Sequence, residues 1–170
     1  MKYMAKVSHD SETPAHDQQV ITATAFIHQV FDGIEKVLLP QRAHTKKFFP
    51  GVYELPGGHM DFGEDTVEGL KREVREELGV EISVGDPFHV FMYMNDVKGS
   101  HSIEIIYFAR LLDPEAEINI EPDDHADIGW FNPQEAQDVL KINRQPDQTN
   151  TAKAVQKAFD LLNGASLSFG

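Results

Sequence analysis

Between Gly58 and Val80, a stretch of 23 residues, the chain commits to one helix and loads one edge of it with negative charge. It reads Gly58, five residues, Glu64, seven residues, then Arg72-Glu73-Val74-Arg75-Glu76-Glu77-Leu78-Gly79-Val80. Asp65 and Glu68 have the spacing of a capping box, so a helix is predicted from about Thr66 to Leu78, with Gly79 as its stop. At about 100° per residue, Glu73, Glu76 and Glu77 fall within about 100° of one another, beside an apolar stripe of Val67, Leu70, Val74 and Leu78. That stripe must face a core, which leaves the carboxylates at its edge. Like charges one turn apart repel by a few tenths of a kcal/mol per pair, and an unpaired charge beside a core costs several kcal/mol. A metal ion among them would offset both costs, and hard oxygen donors of this kind suit Mg²⁺ or Mn²⁺. Gly69 falls on the same face one turn before Glu73. Either its missing side chain leaves room for an ion or a substrate, or it is a neutral glycine tolerated at about 1 kcal/mol relative to alanine.

The rest of the chain sets bounds on the setting of that helix. At 170 residues it fits one domain with a proper core and short tails. With 15 basic against 28 acidic residues the net charge is -13, which repels a nucleic-acid polymer. A small phosphorylated substrate stays open, because a bound divalent cation reverses the field locally. No apolar run approaches the ~20 residues of a membrane span, and the polar N-terminus lacks the apolar core of a signal peptide. The expected location is therefore the cytoplasm, with no membrane partner. The absence of cysteine removes disulfides, thiolate metal sites and cysteine nucleophiles together.

Residues 1–18 read as a loose polar arm, 19–163 as the folded domain and 164–170 as a tail. Gln19 to Val30 and Ile34 to Leu39 are β-branched or aliphatic runs flanking a hairpin turn at Asp32-Gly33. Val52 to Leu55 reads as a short strand ending at Pro56-Gly57-Gly58. Pro87 to Met94, Ser102 to Leu112 and Ile128 to Phe131 read as further strands. Asn132, Pro133 and Glu135 start a second helix with a capping box, and a third spans about Thr151 to Asn163 with Ala152, Val155, Phe159 and Leu162 on one side. The expected class is α/β (α+β), a mixed β-sheet covered by helices on both faces.

The register of Pro56-Gly57-Gly58, Glu64, Arg72, the three glutamates and Gly79, with apolar Val74 and Val80, resembles the Nudix box, and every constrained position is filled. The box covers about a seventh of the chain, and the order of strands and helices from about Gln19 to Leu162 also resembles a Nudix domain, an α/β/α sandwich. The resemblance implies metal-assisted hydrolysis of a nucleoside diphosphate linked to a group X, by attack of water on phosphorus. It makes Glu73, Glu76 and Glu77 metal ligands for Mg²⁺ or Mn²⁺, with the carbonyl of Gly57 as a fourth. In some members Glu73 also orients or deprotonates the water. Arg72 and Glu64 become a supporting pair that fixes the helix against the loop. The chemistry is consistent with this: a diphosphate is shielded by anionic oxygens, and a catalyst needs cations to neutralise them and to make a nucleophile from water.

Relatives often take a further ligand or general base from a loop after the box, here within Glu121 to Asp127. Glu121 and Asp124 are the candidates, against a plain acidic surface loop, with Glu104 a weaker competitor. For substrate contacts, Arg42 and Lys46 belong to a basic cluster before the box, either touching phosphate or base or serving solubility. Phe48, Phe49 and Tyr93 either stack on a base or belong to the core. Glu54 and His59 sit close enough in sequence to the glycine turn to border a site. The proline that marks many ADP-ribose hydrolases would fall near Asp96 and is missing, and Tyr93 comes too soon for the tyrosine of many dinucleoside polyphosphate hydrolases. These absences point to a nucleoside triphosphate or similar small nucleotide, with an ADP-ribose or nucleotide-sugar pyrophosphatase as the alternative. The isopentenyl diphosphate isomerases of the family use a cysteine that this chain lacks. A non-catalytic nucleotide-sensing regulator is disfavoured by the intact box. By analogy with relatives, strand edges and the arm could support a homodimer.

Overall fold

In a computed structural model that describes residues 12–166, the chain builds one mixed sheet between helices, as expected. Its elements are β1 (Gln19–Phe31), β2 (Ile34–Arg42), β3 (Gly57–His59), α1 (Thr66–Leu78), β4 (Ile82–Asn95), β5 (Ser100–Leu111), β6 (His125–Phe131), α2 (Pro133–Val139) and α3 (Asn150–Leu162). The strand order is β4-β5-β1-β2-β6, with β3 alongside the first half of β1. β1 runs parallel to β5 and antiparallel to β2 and β3. Residues 1–11 of the expected arm and 167–170 of the expected tail lie outside the described residues. Residues 15–18 form a turn ahead of β1, closed by Gln18 N–H donating to the Ala15 carbonyl and tied to the start of β5 by Ala15 N–H donating to the Lys98 carbonyl and His101 N–H to that of Gln18.

β1 is a long apolar run because it is buried on both faces, and its period of two splits it between two cores. Ala23, Ala25 and Ile27 pack with Leu70, Val74 and Leu78 of α1. Phe26, between them in sequence, packs on the other face with Ala136 and Leu140 of the second helical layer and Ala154, Val155 and Phe159 of α3. The turn after β1 has positive φ at Asp32 and Gly33, the pattern of a two-residue hairpin that follows strand twist. The α2 capping box forms as its sequence predicts, with Asn132 accepting from Glu135 N–H and the Glu135 carboxylate accepting from Asn132 N–H.

Two expectations need correction. Val52 to Leu55 is extended and has only one bridge, Gln41 to Tyr53, while the regular strand is Gly57–His59. Arg42 N–H donates to the Val52 carbonyl and Glu54 N–H to that of Pro40, but Pro40 and Pro56 have no N–H to extend the ladder. β4 begins at Ile82, five residues earlier than expected, and shifts register on either side of Pro87 for the same reason.

Candidate active site

The site begins with how α1 is rotated. Leu70, Val74 and Leu78 are completely buried under the sheet, which places Glu73 at the rim, itself only 4% exposed. Asp65 Oδ1 accepts from the N–H groups of Val67 and Glu68, and Gly79 closes the helix in the left-handed conformation. Two glycines let the preceding loop press against this rim. A Cβ on Gly57, where φ is +141°, would overlap the carbonyl of Ala23, and one on Gly58 would overlap the Glu73 carboxylate. In this close approach Gly57 N–H donates to Glu77 Oε2 at 3.1 Å.

Arg72 ties the loop to the helix. Its Nε and Nη2 donate to the two oxygens of Glu64 at 2.9 and 3.0 Å, a bidentate pair. Nη1 donates to Glu73 Oε1 at 2.8 Å and to Glu76 Oε2 at 3.3 Å, and Nη2 also reaches the carbonyl of His59. The Glu64 bonds raise the Arg72 pKa first, burial opposes them, and Glu73 adds to the rise. Gly69 leaves no open space for an ion: a Cβ there would overlap Met60 Sδ and crowd Glu64 Oε2. Its small size serves the Glu64–Arg72 clasp.

A cavity of about 350 Å³ opens beside this rim, within the ~300–1,000 Å³ of small-molecule sites. Gly57 and Glu77 form its box-side wall, and Arg42, Lys46, Phe49, Glu54, His59, Tyr93 and Asp124 also line it. Glu64, Arg72, Glu73, Glu76 and Glu121 are not among its lining residues; Glu76 and Glu121 are exposed. Arg42 Nη1 lies 3.4 Å from Glu54 Oε1, and its Nε donates to the Phe48 carbonyl at 3.0 Å. Lys46 Nζ donates to Asp124 Oδ1 at 2.7 Å, so one of the two acidic-loop candidates reaches the cavity already paired.

The box-side carboxylates are poorly compensated. Burial first, then repulsion from Glu54 and Glu73, pushes the Glu77 carboxyl well above the usual range; Asp124 adds to this and Gly57 N–H opposes it. Glu54 differs because, although burial would raise it, Arg42, His125 and Arg144 hold it below its ordinary value. Among the described residues no three His, Asp or Glu side chains close into a ready metal cage. Glu73 and Glu76 instead both lean on Arg72. The donor chemistry nonetheless fits a hard divalent cation: Glu73 and Asp124 are close enough to Glu77 to disfavour its charge, and the Gly57-Gly58 turn is shaped to Glu73.

The far wall holds groups that sequence reasoning missed or ranked low. Glu104 on β5 accepts from Thr24 Oγ1 at 2.9 Å, and burial pushes its carboxyl up to about 7 against that bond. Arg144, in the loop between α2 and α3, stacks over Phe49 at 5.2 Å and donates from Nη2 to the Tyr53 carbonyl at 3.0 Å. Its Nε is buried without a partner, as is Nδ1 of His125, whose Nε2 lies 3.5 Å from Glu54. Phe48 and Tyr93 lie nearly parallel, 15° apart with centroids at 6.0 Å. The one signal for Arg144 was that no other arginine follows Arg110.

Comparison with known proteins agrees with this geometry. The NUDIX domain family matches residues 21–155. The chain is 32% identical over 101 residues to the CTP pyrophosphohydrolase of Escherichia coli, covering 59% of this chain and 70% of that protein. It is 31% identical over 127 residues to the nucleoside triphosphatase NudI of an Enterobacter species, covering 69% and 87%. A MutT NUDIX hydrolase structure from Burkholderia pseudomallei superposes with a TM-score of 0.62 at 27% identity, covering 82% and 98%. Across such relatives the chain spans from 36% to 87% of the other protein's length. Among the described residues no helix is long and apolar enough to cross a membrane.

Proposed function

The chain belongs to the Nudix family of pyrophosphohydrolases, and from that premise we propose that it hydrolyses the diphosphate linkage of a nucleoside triphosphate or similar small nucleotide. The observation that carries the reading is the placement of Glu77, a half-buried and poorly compensated carboxylate, on the wall of an aromatic-lined cavity. Relatives described as a CTP pyrophosphohydrolase and a nucleoside triphosphatase favour the triphosphate class.

Glu73, Glu76 and Glu77 with the Gly57 carbonyl would hold Mg²⁺ or Mn²⁺, and Asp124 is better placed than Glu121 to complete the set because only Asp124 lines the cavity. When bound, the ion neutralises phosphate charge and lowers the pKa of water. Arg72 and Glu64 are positioning residues, since their bidentate pair fixes the loop against the helix without lining the cavity. Arg72 must release Glu73 and Glu76 in part for them to turn toward an ion, and its two bonds to Glu64 keep it anchored as it does so. Arg42 and Lys46 border the cavity where anionic phosphate oxygens would lie, each now resting on a carboxylate that phosphate can displace. His59, buried at 5% exposure, shapes the same wall.

The test is phosphate and pyrophosphate release from ribo- and deoxynucleoside triphosphates, ADP-ribose, nucleotide sugars and dinucleoside polyphosphates, with and without Mg²⁺ or Mn²⁺. Metal-dependent turnover of a triphosphate is expected. No metal-dependent turnover of any member would sink the hydrolase reading, and a preference for ADP-ribose or a nucleotide sugar would move X away from phosphate.

A further inference from the structure

The far wall of the cavity contains a half-buried cation and a half-buried carboxyl that the hydrolytic chemistry leaves unused. The Arg144 side chain makes a single hydrogen bond among the described residues, from Nη2 to the Tyr53 carbonyl, and its Nε is buried without an acceptor. Its guanidinium lies over the Phe49 ring, which restrains its plane. Glu104 faces the same cavity, anchored through one oxygen by Thr24. The two are near enough that each charge favours the ionised form of the other. Phe48 and Tyr93, also on the wall, offer near-parallel ring planes of the kind on which a flat heterocycle stacks.

We propose that this wall is a nucleobase pocket in which the Arg144 fork donates to two adjacent acceptors of the base while Glu104 takes a flanking N–H, so that cytosine and guanine are preferred over adenine and uracil. This deepens the hydrolase reading and rests on it for the identity of the ligand as a nucleotide. The selectivity follows from base chemistry. Cytosine carries O2 beside N3, and guanine carries O6 beside N7, the pair an arginine fork reads in bidentate fashion. Each also has an N–H next to that pair, the amino group of cytosine and N1–H of guanine, which an ionised carboxyl accepts. In adenine every ring-nitrogen acceptor is separated from the next by a C–H or sits beside the amino group, and in uracil N3–H separates O2 from O4. Neither offers two adjacent acceptors, so one arm of the fork would remain buried and unpaired, the situation in which polar sites reject a ligand most strongly.

The experiment uses the full chain in two formats. Equilibrium binding of CMP, GMP, AMP and UMP is measured in EDTA, and kcat and KM are measured for the four corresponding triphosphates with Mg²⁺. The expected result is a preference of about tenfold or more for a cytosine or guanine nucleotide over both adenine and uracil in each format. Arg144→Gln should flatten that preference, acting mainly through KM, with circular dichroism unchanged. Arg144→Lys, which keeps a donor for the Tyr53 carbonyl but not the fork, should flatten it as well. A flat binding profile, a preference for adenine or uracil, or a preference that survives both substitutions would overturn the assignment. If no triphosphate is turned over yet CMP or GMP binds preferentially, the base pocket is supported and the hydrolase reading fails. Turnover without base preference does the opposite.

Discussion

The two walls of the cavity handle buried charge in different ways. On the α1 wall, and in the residues just behind it, carboxylates predominate: Glu77 is pushed well up by burial and by its acidic neighbours, and behind the lining Arg72 is shared among Glu64, Glu73 and Glu76. On the far wall Glu104 has a hydroxyl donor in Thr24 and faces Arg144, whose own charge burial disfavours. The first wall carries an excess of negative charge that an added cation would offset. The second is nearly neutral as a pair, and what it lacks is hydrogen-bond partners. A nucleotide carrying a divalent ion has both complements, phosphate with metal at one end and an uncharged hydrogen-bonding base at the other.

Substitutions can break this contrast, and the largest effect is expected at Glu77. Glu77→Gln should lower kcat by orders of magnitude, while in EDTA at pH 8 it should raise Tm, because it removes a half-buried charge that is repelled by its acidic neighbours and offset only by the Gly57 N–H. Mg²⁺ or Mn²⁺ should then stabilise the wild type more than the variant. A loss in kcat of less than tenfold would place the ion elsewhere.

Next comes Arg72→Ala, which leaves Glu64 and Glu73 partly buried without their cation; about 2–4 kcal/mol of stability should be lost in urea unfolding. Arg72→Lys should recover only part, since it cannot span both Glu64 oxygens. A loss as small as an exposed pair gives would show that Arg72 does not clasp the loop.

The far wall should respond to pH. The Glu104 carboxyl titrates at about 7 when folded and near 4.5 when unfolded, so the folded chain holds the proton more tightly. The stabilisation is full below the unfolded value and is lost as pH rises through the folded one. Glu54 repels the ionised form and Arg144 favours it, while the Thr24 hydroxyl donates to it. Glu104→Gln should therefore gain stability relative to wild type between pH 5 and pH 8, by about 1–3 kcal/mol. Urea titrations at the two pH values give the comparison, and a pH-independent difference would contradict the burial of this carboxyl. The smallest effect belongs to the exposed Arg75–Glu81 pair, where Arg75→Ala should leave Tm within experimental error.

Much of the α1 wall could be read from the chain because it is local. Asp65, Gly79 and the Leu70-Val74-Leu78 stripe set the helix and its rotation within 15 residues, and Glu64 meets Arg72 only eight positions away. Even there the chain left alternatives that packing resolved. Gly69 accommodates Met60 and Glu64 rather than an ion, and Gly57-Gly58 pairs with β1 where the strand had been expected earlier, because two prolines interrupt the ladder of residues 52–55. The Phe48 and Tyr93 rings, either core or stacking surface on sequence grounds, line the cavity and face each other. Arg144 had no local pattern to announce it, since its loop meets Phe49 and Tyr53 across roughly ninety residues of chain.

The sequence by itself determined the family, the glutamate-bearing helix and the sign of the charge at its edge, because helical periodicity, capping and glycine geometry act over a few residues at a time. Only the tertiary structure decided which acidic-loop residue reaches the cavity, what fills the space at Gly69, and which cation and carboxyl form the far wall. Those outcomes depend on β1 lying parallel to β5 and on α3 folding back across the sheet. Contacts of that range are set by how two cores pack on opposite faces of one strand, and no spacing along the chain encodes them.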